Sequence, residues 1–218
     1  VELNPADDAV LRIERLVFAY GRRWLFEGFG AEARPGVTWV QGANGSGKST
    51  LLRLLAGALR PQHGRFTLGG AHYGADDRTA PLAWRRQTFW GLSDPPPTPW
   101  LTIAECLGFV ARAYGLPADG SPALREQVEA LGLGKALDTP LRHASLGQQR
   151  KTVLALALAL PVRLLLLDEP FNALDAASSA HLAQALARRA EAGRQVILLT
   201  SHVEPHVAVR ERWVLGGD

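Results

Sequence analysis

The chain has 218 residues, 47% of them apolar and 21% charged, with a formal charge of +3; these are the values of a globular protein long enough to bury a sizeable core. Its basic residues are almost all arginine and scattered rather than clustered, which excludes a dedicated nucleic-acid surface, and its single cysteine, Cys106, excludes an intrachain disulfide and fits a reducing compartment. The longest apolar run, residues 153–162, is about half of what a bilayer-spanning helix needs, and residues 1–8 are polar and acidic rather than signal-like; if the protein works at a membrane, another chain is expected to supply the span.

The first predicted elements are short alternating strands over 11–14 and 16–20, a turn at 21–23 and a strand over 26–33. Residues 37–41 are apolar and β-branched, a buried strand running into Gly42-Ala43-Asn44-Gly45-Ser46-Gly47-Lys48-Ser49-Thr50. That stretch fits the phosphate-loop pattern G-x-x-x-x-G-K-[ST] without a mismatch. Gly42, Gly45 and Gly47 let the backbone turn tightly and point several N–H groups into one concavity. Lys48 can then reach β- and γ-phosphates, and the Ser49 hydroxyl can ligate Mg²⁺. Leu51, Leu52, Leu54, Leu55 and Ala56 follow at helical spacing up to Gly57, so strand, loop and helix together aim a helix N-terminus at an anion. The chain is expected to bind a nucleoside triphosphate.

Beyond this helix the pattern predicts a turn at 60–64, a strand over 65–68, a surface loop over 69–81 and a strand over 86–92. Four prolines within 94–99 force an extended segment. Residues 102–114 and 122–131 read as helices, which makes 102–144 a helical region inside an otherwise α/β chain. The Leu/Ala alternation of 153–160 imitates a strand, but both residues are strong helix formers, so a buried helix ending at Pro161 is expected. A four-leucine strand over 164–167, a helix over 176–192, a buried strand over 196–200 and a last short strand at 213–215 complete the chain. The sequence holds no methionine, even at position 1, which suggests a trimmed or processed start.

Two further stretches carry chemistry. The strand 164–167 runs into Asp168-Glu169, and the carboxyl ends of strands in an open α/β sheet are where ligands sit. Asp168 suits holding Mg²⁺, and Glu169 can polarise an attacking water as a general base. Ala144-Ser145-Leu146-Gly147-Gln148 precedes the buried helix; Ser145 there is either a plain N-cap or part of an anion site.

With these stretches in this order, the sequence resembles the nucleotide-binding subunit of an ABC (ATP-binding cassette) transporter over nearly its whole length. GANGSGKST is similar to the Walker A motif, LLLLDE to Walker B, and ASLGQ to the signature LSGGQ. Residues 172–175 (NALD) resemble the D-loop and 200–202 (TSH) the switch-histidine segment. Tyr20 falls where the family stacks an aromatic ring on adenine. The resemblance implies an α/β P-loop fold with a mostly parallel sheet, an N-terminal antiparallel β subdomain and a helical subdomain at about 95–160 within one domain spanning 1–218. It also implies ATP and Mg²⁺ as cofactors, a head-to-tail dimer of cassettes and a polytopic membrane permease as partner, with the chain cytoplasmic and peripheral on the inner membrane face. Ser145, Gly147 and Gln148 would then meet the γ-phosphate bound by a second subunit, His202 would steady the attacking water beside Glu169, and Asp175 would couple the two sites.

Two departures stand out. Residues 90–102 contain none of the family's Mg²⁺-contacting glutamine; Ser93 or Asp94 occupies its place, Gln87 lies too early, and Asp94 can reach the metal or its water. The prolines there either stiffen a coupling loop or make a rigid surface turn. Leu146 replaces a signature glycine. His202 and His206 hint at a metal pair, but Pro205 breaks the helix such a pair needs. Cys106 reads as a helix core residue. The segment 101–117 is similar to cassettes of drug-, lipid- and haem-export branches, and the chain shows no C-terminal regulatory extension. The expected function is therefore to power an exporter, with a soluble, non-transport cassette ATPase as the alternative.

Overall fold

A computed structural model of the protein describes residues 10–91, 98–117 and 121–216. The chain opens with β1 (Leu11–Tyr20) and β2 (Arg23–Ala33), an antiparallel hairpin, followed by β3 (Gly36–Gly42) and α1 (Lys48–Leu55). Next come β4 (His63–Leu68), β5 (Ala71–Gly74), the short α2 (Leu82–Arg86) and β6 (Thr88–Gly91). The helices α3 (Ile103–Ala113), α4 (Pro122–Ala130) and α5 (Leu146–Ala159) lead to β7 (Leu164–Asp168). The chain then runs through α6 (Ala176–Glu191), β8 (Val196–Thr200) and β9 (Glu211–Leu215).

Two sheets result. One is antiparallel in the order β2-β1-β4-β5, and the other is parallel in the order β6-β7-β8-β3-β9. The central parallel strands β7 and β8 are buried on both faces, as their unbroken apolar runs require. Leu165, Leu167, Ile197 and Leu199 face a core shared with α3, α4, α5 and α6. Leu164, Leu166, Val196 and Leu198 face the opposite core, built from α1, α2 and the antiparallel sheet.

Most expected elements stand within a residue or two of their observed ends. The Leu/Ala run is helical: residues 152–159 of α5 are all buried, and the helix stops at Leu160, held extended before Pro161. Three expectations fail for tertiary reasons. Residues 11–14 and 16–20 form one strand, not two, bent at a bulge where Arg15 takes a left-handed φ of 48°. β4 begins at His63, inside the expected turn, and presses Gly64 against this bulge, where a Cβ would lie 2.6 Å from the Glu14 carbonyl oxygen. The expected loop over 69–81 contains β5, and α2 forms just after it where no element is expected, while the expected strand over 86–92 is found as β6. The cause is aromatic packing: Tyr73 of β5 and Trp84 of α2 stack with Phe66 of β4 at centroid distances of 5.8 to 6.3 Å.

Trp84 is fully buried and its indole N–H donates to the Leu55 carbonyl at 2.7 Å, closing the C-terminus of α1. Trp84→Ala should destabilise the fold by about 3–5 kcal/mol, read as a lowered urea midpoint with an unchanged denaturant slope.

Candidate active site

The parallel sheet brings three strand ends together. β8 pairs with both β3 and β7, so Val40 and Asp168 are both in register with Thr200. Beyond these ends lies a cleft of about 330 Å³ lined by Tyr20, Arg23, Asn44, Lys48 and Ser49 on one side and by Asp168, Glu169 and His202 on the other.

The loop after β3 is shaped by its glycines. Gly42 has φ 149°, and a Cβ there would sit 2.4 Å from Ser46 Oγ and 2.6 Å from the Leu215 carbonyl oxygen. Gly47, at φ 104°, starts α1 without any side-chain cap, so first-turn N–H groups of a helix face the cleft. Lys48 is buried, and its ammonium donates to the carbonyls of Gly42 at 2.6 Å and Ala43 at 3.2 Å. It is thus held at the mouth of the nest by groups that a phosphate can replace. Tyr20 is about half exposed at the cleft edge, its ring set edge-on to Phe18 at 4.9 Å.

On the facing side a single hydroxyl bonds both acidic residues, one through its carboxylate and the other through its backbone. Thr200 Oγ1 donates to Asp168 Oδ1 at 2.7 Å and accepts from the Glu169 N–H at 3.0 Å. Glu169 takes a left-handed φ of 48°, a conformation that costs a non-glycine residue roughly 1–2 kcal/mol. Its Oε1 is buried and makes no hydrogen bond among the described residues. His202 Nε2 stands 3.4 Å from that oxygen, within ion-pair reach but without hydrogen-bond geometry, and its ring is exposed.

The other expected site residues are placed elsewhere. Ser145 caps α5 in a reciprocal box, its Oγ accepting from Gln148 N–H at 3.2 Å and its own N–H donating to Gln148 Oε1 at 2.8 Å. Gly147 packs beside Ala173, whose carbonyl oxygen would be 3.5 Å from a Cβ. Asp175 caps α6 by accepting from Ser178 N–H, and it accepts from Lys151 Nζ at 2.5 Å. Ser145, Gly147, Gln148 and Asp175 do not line the cleft of their own chain. Asp94 and Ser93 lie outside the described residues. Gln87 donates to the Leu68 carbonyl at the N-terminal end of β6, away from the strand ends that form the cleft.

Among the described residues no group of three His, Cys, Asp or Glu side chains could hold a metal by itself, and Glu204, between the two histidines, pairs with Arg212. Cys106 is buried in α3, and burial pushes its thiol pKa up. Arg23 and Thr200 are functional candidates not singled out from sequence. Arg23 is the cross-strand neighbour of Tyr20 and donates to the Gly45 carbonyl at 2.8 Å, so only the β1–β2 register reveals its place.

Comparison with known proteins places this geometry. The model of the ABC transporter family matches residues 33–172. A cytochrome c biogenesis ATP-binding export protein of Paramagnetospirillum magneticum is 38% identical over 88% of this chain and 88% of its own length. The protein of the same name from Alkalilimnicola ehrlichii is 40% identical over 84% of this chain and 76% of its own. Among solved structures, an ATP-binding subunit of an ABC transporter superposes with a TM-score of 0.75 at 27% identity, covering 88% of this chain and 79% of that one. A Pyrococcus furiosus protein described as a putative ABC transporter ATP-binding protein superposes equally well, 0.75 at 20% identity over 94% and 97%, and shows the fold alone.

The Lys151 hydrogen bond, followed by those from Ser178, holds the Asp175 carboxyl well below the usual carboxylate range. A depressed carboxylate stabilises the fold above its unfolded pKa, and that contribution is lost as pH falls through its folded value. Lys151→Ala should therefore raise the Asp175 pKa toward the ordinary carboxylate value, read by a carboxyl ¹³C titration; an unmoved titration would separate the two groups in solution.

Proposed function

The chain belongs to the ABC transporter family as an ATP-binding and ATP-hydrolysing subunit, and we propose that it works as one of two cassettes closing head to tail to drive a separate polytopic membrane permease. One observation carries the reading: Lys48, Asp168, Glu169 and His202 share one cleft, whereas Ser145, Gly147 and Gln148 lie outside its lining. A single chain thus supplies two halves of two different sites. In the closed pair the triphosphate lies along residues 42–50 of one protomer, with adenine against Tyr20, and the signature turn of the second copy completes the pocket around the γ-phosphate. Residues 95–160 act as the helical subdomain, a reading supported by α3, α4 and the start of α5.

The chemistry is phosphoryl transfer to water. Lys48 exchanges the Gly42 and Ala43 carbonyls for phosphate oxygens. Glu169 takes a proton from the water whose oxygen attacks the γ-phosphorus in line, and the β–γ bridging oxygen leaves with ADP. His202 bonds the γ-phosphate and keeps the water beside Glu169. The Ser49 hydroxyl and the Asp168 carboxylate meet in the same cleft, an oxygen donor pair that suits Mg²⁺ retaining several waters, with Asp94 as a third candidate. When bound, the ion neutralises charge on the β- and γ-oxygens.

In this reading the chain sits peripherally, on the cytoplasmic face through its permease; among the described residues no helix is long and apolar enough to cross a membrane. The relatives' name supports export in cytochrome c biogenesis as the system served; the transported molecule is selected by the permease.

Lys48→Ala should abolish ATP binding or hydrolysis. Glu169→Gln should bind ATP normally, lose hydrolysis by roughly a hundredfold or more, and accumulate as an ATP-bound dimer on size exclusion. Unchanged turnover in either variant would remove the site, and a Glu169→Gln protein that stays monomeric at saturating ATP with its permease would remove the paired-cassette arrangement. Purification in a wholly soluble complex, with no polytopic partner, would overturn the transport reading.

A further inference from the structure

We infer that Arg150 is a positioning residue for hydrolysis, holding Glu169 in its working conformation from the helix that carries the signature turn. The inference rests on the reading of Glu169 as the group that acts on water. Glu169 occupies left-handed backbone, and such a residue persists only where its surroundings over-determine it. Both of its backbone polar groups are held. The N–H donates to Thr200 Oγ1 at 3.0 Å, and the carbonyl accepts from Arg150 Nη1 at 3.2 Å. The first tie comes from β8; the second comes from the second turn of α5.

Arg150 is an unusual choice for a merely structural bond. Its Nε is buried and has no hydrogen-bond partner among the described residues. The guanidinium borders a small cavity that also touches Asp168, Gly91 and Pro170. A half-buried, partly satisfied guanidinium is costly, and an apolar residue would fill that place at less cost. What the guanidinium supplies is a side-chain donor that, beside the Asn172 N–H at 3.2 Å, ties the Glu169 carbonyl to α5. Without it the Asn172 N–H alone holds that carbonyl, and Glu169, which precedes Pro170, can relax toward extended backbone, carrying the carboxylate away from His202. Asp168 and the loop 42–50 keep their own supports, in Thr200 and the strand register, so nucleotide binding survives.

The next residue strengthens the assignment. Lys151 bonds Asp175, and Gly147 packs against the Ala173 carbonyl, so the start of α5 grips the segment 169–175 at its beginning, near its middle and at its end. The turn Ser145–Gln148 begins that same helix. Movement of the signature turn on meeting a phosphate of the second cassette is thereby carried to Glu169 of its own chain.

The test is steady-state ATP hydrolysis by the full chain together with its permease, with nucleotide affinity and melting temperature measured in parallel. Arg150→Ala should lower kcat roughly ten- to a hundredfold, as misplacement of a reacting group does, while KM and ATP affinity stay within about twofold of wild type. Arg150→Lys, which keeps a charged donor on a long stem, should recover much of the loss. If Arg150→Ala melts early, Arg150→Gln, of similar bulk but without the reach, carries the same expectation. Wild-type kcat in folded Arg150→Ala or Arg150→Gln, or a loss carried by KM rather than kcat, overturns the assignment. Glu169→Gln in the same assay separates the two levels. If it is inactive while Arg150→Ala is fully active, only the role of Arg150 falls; if it hydrolyses ATP normally, the underlying reading of Glu169 falls.

Discussion

The site depends on one buried hydroxyl. Thr200 Oγ1 donates to Asp168 and accepts from the Glu169 backbone, so two adjacent acidic residues with different proposed tasks are oriented from a single point. The hydroxyl is where it is because β7 and β8 pair with Asp168 opposite Thr200, and that register is held by leucines packed on both faces of the sheet. A slip of one residue would turn every leucine to the wrong core and part the hydroxyl from the carboxylates. The same β8 pairs with β3, bringing the start of the glycine loop to the same rung. The geometry of the proposed site is thus inherited from ordinary apolar packing.

The loop 42–50 adds a second constraint. Lys48 Nζ bonds the carbonyls of Gly42 and Ala43, so the first residue of α1 ties the start of the loop to its end. Gly42 cannot be exchanged, because Ser46 Oγ and the Leu215 carbonyl already occupy the space of a Cβ.

What could be read from sequence divides along local and non-local lines. The glycine loop, the four leucines before Asp168-Glu169, the cap at Ser145 and the helical character of the Leu/Ala run each carry their physical cause within a few residues, and each is found where expected. β5 and α2 escape because elements of four and five residues show no periodicity; burial of Tyr73 and Trp84 beside Phe66 creates them. Arg23, Thr200 and Arg150 escape for a related reason: each acts through a partner 22, 31 or 19 positions away in the chain, and residue type alone does not announce a register or a helix–loop contact.

The signature turn shows why its two sequence readings, plain cap and anion site, are compatible. A helix start leaves four N–H groups without intrahelical partners. The box formed by Ser145 and Gln148 satisfies two of them, those of Ser145 and Gln148 themselves. The two between, of Leu146 and Gly147, are the ones an anion approaching the helix end would take, and capping holds them parallel rather than consuming them. Leucine in place of glycine at 146 leaves this donor pair intact, since it changes the side chain and not the N–H. Its side chain is 53% exposed in the single chain, so closure of a second cassette over this turn would cover apolar area next to the donors. Burial there would exclude water from the phosphate contact and strengthen it, which makes the departure from the family pattern consistent with a working half-site.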